Sequence, residues 1–184
     1  MMSKYSDQVI SEISTVINKI PDDEFTEAAK AITSAKKIFV LGLGRAGFSI
    51  KSLGMRLMHM GMESYAFGET ITPDFEAGDL LIVASGSGET KELVQKAQKA
   101  KALGGNVLAM TTNEDSTLHD IADHSIVIQA PSKVVSDSDF HSEQPMASLY
   151  EQCVLVASDA LVLEIMADVS TQGNDMFKRH SNLE

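Results

Sequence analysis

Two hydrophobic rhythms alternate along the chain. From Tyr5 to Ile20, the residues Val9, Ile10, Ile13, Val16, Ile17 and Ile20 recur at helical spacing. Pro21-Asp22-Asp23 interrupts that pattern, and Asp22 or Asp23 is positioned to cap a second helix reaching about Ala35. Short β-type runs then appear at Lys37 to Leu41, weakly at Ser64 to Phe67, and at Leu80 to Ala84, Asn106 to Met110 and Ser125 to Ile128. Helical patterns separate them: one to about Met60, one from Lys91 to Leu103, one from about Thr117 to Ala122. The Gly68 to Gly78 stretch, with Pro73, and the Ser- and Asp-rich Pro131 to Pro145 read as loops. Short strands alternating with helices predict βαβ crossovers, hence an α/β fold with a parallel sheet covered on both faces.

The longest apolar helical segment runs from Met146 to Met166 and includes Leu149, Val154, Leu155, Val156, Leu161, Val162 and Ile165. It is apolar over most of its circumference. Such a helix needs cover on more than one side, so it is expected to pack on another subunit as well as on the sheet. The whole reads as one domain over residues 1–184: N-terminal helices in 5–35, an α/β core in 37–128, then a C-terminal helix in 144–168 and a tail, 174–184.

Composition narrows the function. A net charge of −11 argues against nucleic acid or an anionic membrane as a partner. No apolar run approaches the roughly 20 residues that span a bilayer. Lys4 is the one basic residue of a polar N-terminus, which does not read as a signal peptide. The lone Cys153 has no partner for an internal disulfide, so a reducing, cytoplasmic setting is expected.

The chemistry concentrates after two of the predicted strands. Leu80 to Ala84 ends in Ser85-Gly86-Ser87-Gly88-Glu89-Thr90, and a helix follows at once. A helix start presents unpaired N–H groups at the positive end of the dipole, and glycines let a ligand approach the backbone. Capping needs one hydroxyl; Ser85, Ser87 and Thr90 offer three, which suits a phosphate. Against an overall field that repels anions, local geometry must hold it. Glu89 in the same turn repels phosphate, so it is expected to point away or toward Arg45.

The earlier loop, Gly42-Leu43-Gly44-Arg45-Ala46-Gly47, matches G-x-G-x-x-G, and Glu69 lies about where a ribose-binding acid sits in dinucleotide folds. An NAD-dependent dehydrogenase is therefore one reading, although 184 residues leave little room for a catalytic domain as well. Under any reading the loop is a tight turn. Arg45 in it can stabilise an oxyanion or a phosphate, or form a salt bridge to Glu69 or Glu89. Glu151 lies one turn into the apolar helix. It is either on an exposed face or a general base whose basicity is raised by apolar neighbours. The five histidines form no metal set. His59 ends a helix, where it can meet terminal carbonyls, and His180 lies in a polar tail that reads as an unordered terminus.

Ser85-Gly-Ser-Gly-Glu-Thr90 fits the S-x-S-G-x-T signature of sugar isomerase (SIS) domains. Gly42 to Gly47, Met55 to Gly61, Gly68 to Pro73, Gln144 to Gln152 and the tail Arg179 to Glu184 resemble the 6-phospho-3-hexuloisomerase branch, essentially over the whole chain. The resemblance implies a flavodoxin-like or Rossmann-like three-layer α-β-α sandwich with a five-stranded parallel sheet. It also implies a homotetramer with shared sites, no cofactor and no metal, and a place in the ribulose monophosphate pathway. The implied reaction interconverts D-arabino-hex-3-ulose 6-phosphate and D-fructose 6-phosphate. The phosphate would be held by Ser85, Ser87, Gly88, Thr90 and Gly44. Glu151 would be the base, with Arg45 at the developing oxyanion. His180 from a neighbouring subunit, or else His59, would open the sugar ring. The family usually carries Ser where this chain has Ala46, so one hydroxyl donor is missing. The alternative in another class is a non-catalytic sugar-phosphate sensor. Sensors usually come joined to a DNA-binding module, for which Met1 to Lys4 would leave no room.

Overall fold

Alternate residues of each strand build opposite halves of the core. The computed structural model describes residues 4–131, 141–169 and 173–183. Its strands are β1 (Ile38–Gly42), β2 (Ser64–Ala66), β3 (Leu80–Ala84), β4 (Asn106–Thr111) and β5 (His124–Val127). They form one all-parallel sheet in the order β2-β1-β3-β4-β5. Ile38, Val40, Leu80, Ile82, Leu108 and Met110 point to one face; Phe39, Leu41, Leu81, Val83, Val107 and Ala109 point to the other. Both sets are buried, as a parallel sheet between helical layers requires.

The first face is covered by α1 (Lys4–Ile17), α2 (Asp22–Ser34), α3 (Gly44–His59) and α6 (Ser148–Val169). The second is covered by α4 (Lys91–Ala102) and α5 (Thr117–Ile121), which lie over β3 and β4. The expected three layers are present. On the second face, however, β1 and β2 carry no helix: residues 67–79 cross from β2 to β3 as turns and loop. A short helix, α7 (Gly173–Phe177), lies in the region read as tail. Residues 132–140 of the expected loop lie outside the described residues.

One expectation, the cap of α2, changes. Pro21 occupies the N-cap of α2 and no side chain caps it; Asp22 and Asp23 lie inside the first turn, where their charge suits the dipole. The apolar circumference of α6 is covered largely within the chain, by α3, α1 and α2. Leu149, Cys153, Val154, Ala157, Leu161 and Ile165 are fully buried, each large one worth about 1.5–3 kcal/mol. Leu155, Val156 and Leu163 stay exposed. No helix among the described residues is long and apolar enough to cross a membrane.

Candidate active site at the β1/β3 switch point

The chain moves outward from β1 to β2 on one side and from β3 to β5 on the other. That reversal leaves a crevice beyond the C-terminal ends of β1 and β3. A cavity of about 250 Å³ occupies it. Leu43 and Ala46 line it from the β1 loop, Ser85 to Ser87 and Thr90 from the β3 loop, and Ala147, Tyr150 and Glu151 from the start of α6. The N-termini of α3, α4 and α6 thus converge on one space. Three positive dipole ends there favour an anion that the chain as a whole repels.

The β3 loop is built as a cradle. Gly88 has φ +67°, and a Cβ there would collide with the Ser116 hydroxyl, so only glycine makes the turn. Thr90 holds the N-cap position of α4 but makes no side-chain cap hydrogen bond. Ser85 Oγ donates weakly to Thr90 Oγ1 at 3.4 Å, and Ser87 Oγ accepts the Glu89 N–H at 3.2 Å. Capping therefore does not consume the Thr90 hydroxyl. Glu89 turns out of the cradle: its carboxylate accepts the Thr117 N–H at 2.6 Å and the Thr117 hydroxyl at 2.9 Å.

Across the cavity, Arg45 meets Glu151. The Arg45 Nε to Glu151 Oε2 distance is 3.2 Å, and Arg45 Nη1 donates to Ser148 Oγ at 3.1 Å. Neither acid expected to pair with Arg45 does so. Glu69 binds Lys51 at 2.9 Å, and Glu89 is held by Thr117. Glu151 is largely buried, with 12 % of its side chain exposed, whereas Arg45 is 59 % exposed. A buried carboxylate needs a partner, and the guanidinium supplies it. The environment of Glu151 is thus a cation as well as the apolar wall expected. Ser49 Oγ also donates to the Glu151 carbonyl at 2.7 Å, fixing α6 to α3 by the backbone.

A family model, the SIS domain, matches residues 31–161. A 3-hexulose-6-phosphate isomerase of Bacillus subtilis is 40% identical over 99% of this chain and 98% of its own length. One of Mycobacterium gastri is 36% identical over 96% of this chain and 88% of its own. The chain belongs to the SIS domain family, among the 3-hexulose-6-phosphate isomerases. A solved Methanococcus jannaschii protein, from whose structure that same isomerase function was inferred, superimposes with a TM-score of 0.84. It is 32% identical, covering 99% of this chain and 100% of its own.

In this SIS domain Ala46 lines the cavity with a methyl group at the position where a hydroxyl was expected to be missing. Gly44 opens α3 at φ +57°. Close by, Gly47 packs against the Gly42 carbonyl, where a Cβ would lie 2.6 Å from the oxygen.

His59 and His180 are elsewhere. His59 ends α3, 15 residues beyond Gly44, or about 22 Å along a helix. It is buried, and its ring stacks on His180 at 5.4 Å. Burial, then the charges of Arg56 and His180, hold the His59 imidazole below its usual range. Within one chain, neither histidine lines the cavity that holds Glu151. Among the described residues no cluster of three or more His, Cys, Asp or Glu could hold a metal.

Sequence reasoning passed over three residues of this site: Ser148, Ser49 and Tyr150. Tyr150 is fully buried, donates its hydroxyl to the Met110 carbonyl at 2.7 Å, and packs its ring against Gly86. That carbonyl also accepts the Ser85 N–H at 3.0 Å, so Tyr150 ties the residue next to Glu151 to the cradle's first residue. Burial, then Glu151, push the phenol up, which keeps it a donor. The one available signal was a polar-tipped aromatic inside an apolar helix. Burial also pushes the Cys153 thiol up to about 12, so it packs as a small hydrophobe.

Proposed function

We propose that the chain interconverts D-arabino-hex-3-ulose 6-phosphate and D-fructose 6-phosphate, with the phosphate in the Ser85–Thr90 cradle and Glu151 as the acid–base. The observation that carries this reading is that the Glu151 carboxylate and the hydroxyl-rich cradle line one cavity. The isomerases of Bacillus subtilis and Mycobacterium gastri, similar over nearly the full chain, support the substrate.

The phosphate is remote from the reacting carbons, and its binding energy positions them. Ser85, Ser87 and Thr90 bind it through their hydroxyls, while Gly88, whose own N–H is turned to the Ser85 carbonyl, and Gly44 let it approach the backbone. Starting from the 3-ulose, Glu151 removes the proton from C2. The C–H electron pair becomes the C2–C3 double bond, and the carbonyl pair moves onto O3. Glu151 then returns its proton to C3 as the O2 proton passes to O3 and a carbonyl forms at C2. O3 ends as a hydroxyl. C2 is oxidised and C3 reduced within one molecule, so the step needs no external oxidant.

Negative charge on O3 needs a donor, and the Arg45 guanidinium, exposed and hinged beside Glu151, turns onto it. Ring opening precedes enolisation and uses His180 supplied by a second copy of the chain. The exposed Phe48 and Met55 of α3, with Leu155 and Leu163 of α6, support contact between copies in a homotetramer. The setting is cytoplasmic, within the ribulose monophosphate pathway.

The test is direct. Fructose 6-phosphate labelled with ¹³C at C2 and C3, incubated with the purified protein, should give a second ketone carbon at C3. A spectrum that stays unchanged overturns the reading and favours a sugar-phosphate sensor.

A further inference from the structure

A second cavity, of about 400 Å³, lies on the opposite face of the sheet from α3 and α6. It exists because the β2–β3 connection carries no helix. The aromatic face of β1 and β2 is left under a loop, beside α4. Phe39, Phe75 and Leu81 form its floor, and Phe67, Lys96 and Lys99 stand at its sides. Phe39 and Phe75 are locked together with ring centroids 5.2 Å apart. Phe75 lies so close to Gly105 that a Cβ there would collide with the ring, which anchors the loop. Phe67 is 37% exposed, with the Lys96 ammonium 5.3 Å from its ring centre.

The charges in this cavity are unequal. Lys96 has the Phe67 ring as its partner, and among the described residues no carboxylate lies within 4.0 Å of the Lys96 or Lys99 ammonium. Asp74 also lines the cavity, but Lys37 holds it: the ammonium donates to the Asp74 carbonyl at 2.9 Å and lies 3.5 Å from its carboxylate. A cationic ligand would meet two ammonium groups. A neutral apolar one would strip water from them and offer nothing in return. A flat ring with a negative charge answers both the aromatic walls and the lysines. The volume is that of a small-molecule site, not of a protein interface.

We propose that this cavity is a second ligand site, separate from the one at the switch point, for a planar aromatic ring carrying a negative charge, such as a nucleoside monophosphate. The ring stacks against Phe67, and the phosphate faces Lys96 and Lys99. This inference does not depend on the isomerase reading.

Saturation-transfer NMR with adenosine monophosphate tests it. The H2 and H8 protons of the base should be saturated by the wild-type protein. Adenosine, a ring without charge, and ribose 5-phosphate, a charge without a ring, should each displace the nucleotide at least about tenfold less well. The double variant Lys96→Glu/Lys99→Glu should weaken binding at least about tenfold. Phe67→Ala should weaken it too, while Ser87→Ala leaves it unchanged. Both lysines and Phe67 are at least partly exposed, so these variants keep the fold. No saturation at millimolar nucleotide overturns the proposal, as does full binding by the double variant. Loss of binding in Ser87→Ala overturns it as well, because the nucleotide would then occupy the switch-point cavity.

Discussion

Arg45 Nε lies 3.2 Å from Glu151 Oε2, joining the first turn of α3 to the first turn of α6 across the cavity. The pair neutralises a largely buried carboxylate while most of the arginine side chain stays in solvent. With its guanidinium screened by solvent, the pair itself adds little stability. In the proposed mechanism its consequence is for the reaction: the guanidinium beside Glu151 would serve the oxygen that becomes negative. Arg45→Ala should therefore lower kcat by about 10²–10³-fold with a small effect on KM, the worth of one oxyanion donor. Steady-state kinetics on both sugars decide this. A raised KM at unchanged kcat would assign Arg45 to the phosphate instead.

The cradle makes the opposite prediction. Ser87→Ala removes a hydroxyl assigned to the phosphate, remote from the reacting carbons, so it should raise KM by about 5–20-fold, the loss of one hydrogen bond to a charged group, and alter kcat little. Inhibition by inorganic phosphate should weaken in parallel. A folded variant with wild-type KM would remove the phosphate from this loop.

His180 stacks on His59 at the far end of α3 from its own Glu151. If ring opening uses a histidine of another copy, two inactive variants should complement each other. Glu151→Gln and His180→Ala chains, unfolded together and refolded as mixed oligomers, should regain activity that neither has alone. Failure of mixed oligomers to recover any activity would contradict the shared site.

Most of the fold was legible because it follows from local patterns. Leu80–Ala84 is bounded by charge on one side and Ser-Gly on the other, and the strand occupies those residues. The α4 and β4 boundaries fall within a residue of expectation for the same reason. What was not legible is what distant residues do to one another. Arg45 pairs with Glu151, not with Glu69 or Glu89, because α6 folds back beside α3 and brings together residues more than a hundred apart in sequence. The greasy circumference of α6 correctly signalled cover on several sides, but periodicity cannot say whether the cover is α1 and α2 or another molecule. The cradle was readable as glycines and hydroxyls before a helix. Tyr150, which fixes that cradle relative to Glu151, was hidden among apolar neighbours.

Glu12 shows the same limit. It is a buried carboxylate on α1 that accepts hydrogen bonds from Gln8 Nε2, Ser142 Oγ, Gln144 Nε2 and the Glu143 N–H, and so holds the segment leading into α6. Burial pushes its carboxyl up, but these hydrogen bonds outweigh that and hold it below its ordinary 4.5. A carboxylate depressed in the folded state stabilises fully above its unfolded value, and the gain is lost as pH falls through the folded one. Glu12→Gln should thus cost about 1–3 kcal/mol near pH 7, with the gap to wild type closing as pH falls below the carboxyl's ordinary 4.5. Urea unfolding at several pH values measures it. A gap that stays constant with pH would show that the charge of Glu12 is immaterial.

The central claim is that Glu151 moves one proton between adjacent carbons of a phosphate-anchored sugar. Incubation with fructose 6-phosphate in D₂O, followed by ¹H NMR, tests it most directly. Wild type should incorporate deuterium at C3 of the ketose, and Glu151→Gln should bind the sugar but exchange about 10²–10⁴-fold more slowly. Equal exchange by the two proteins, or neither exchange nor interconversion by wild type, would contradict it.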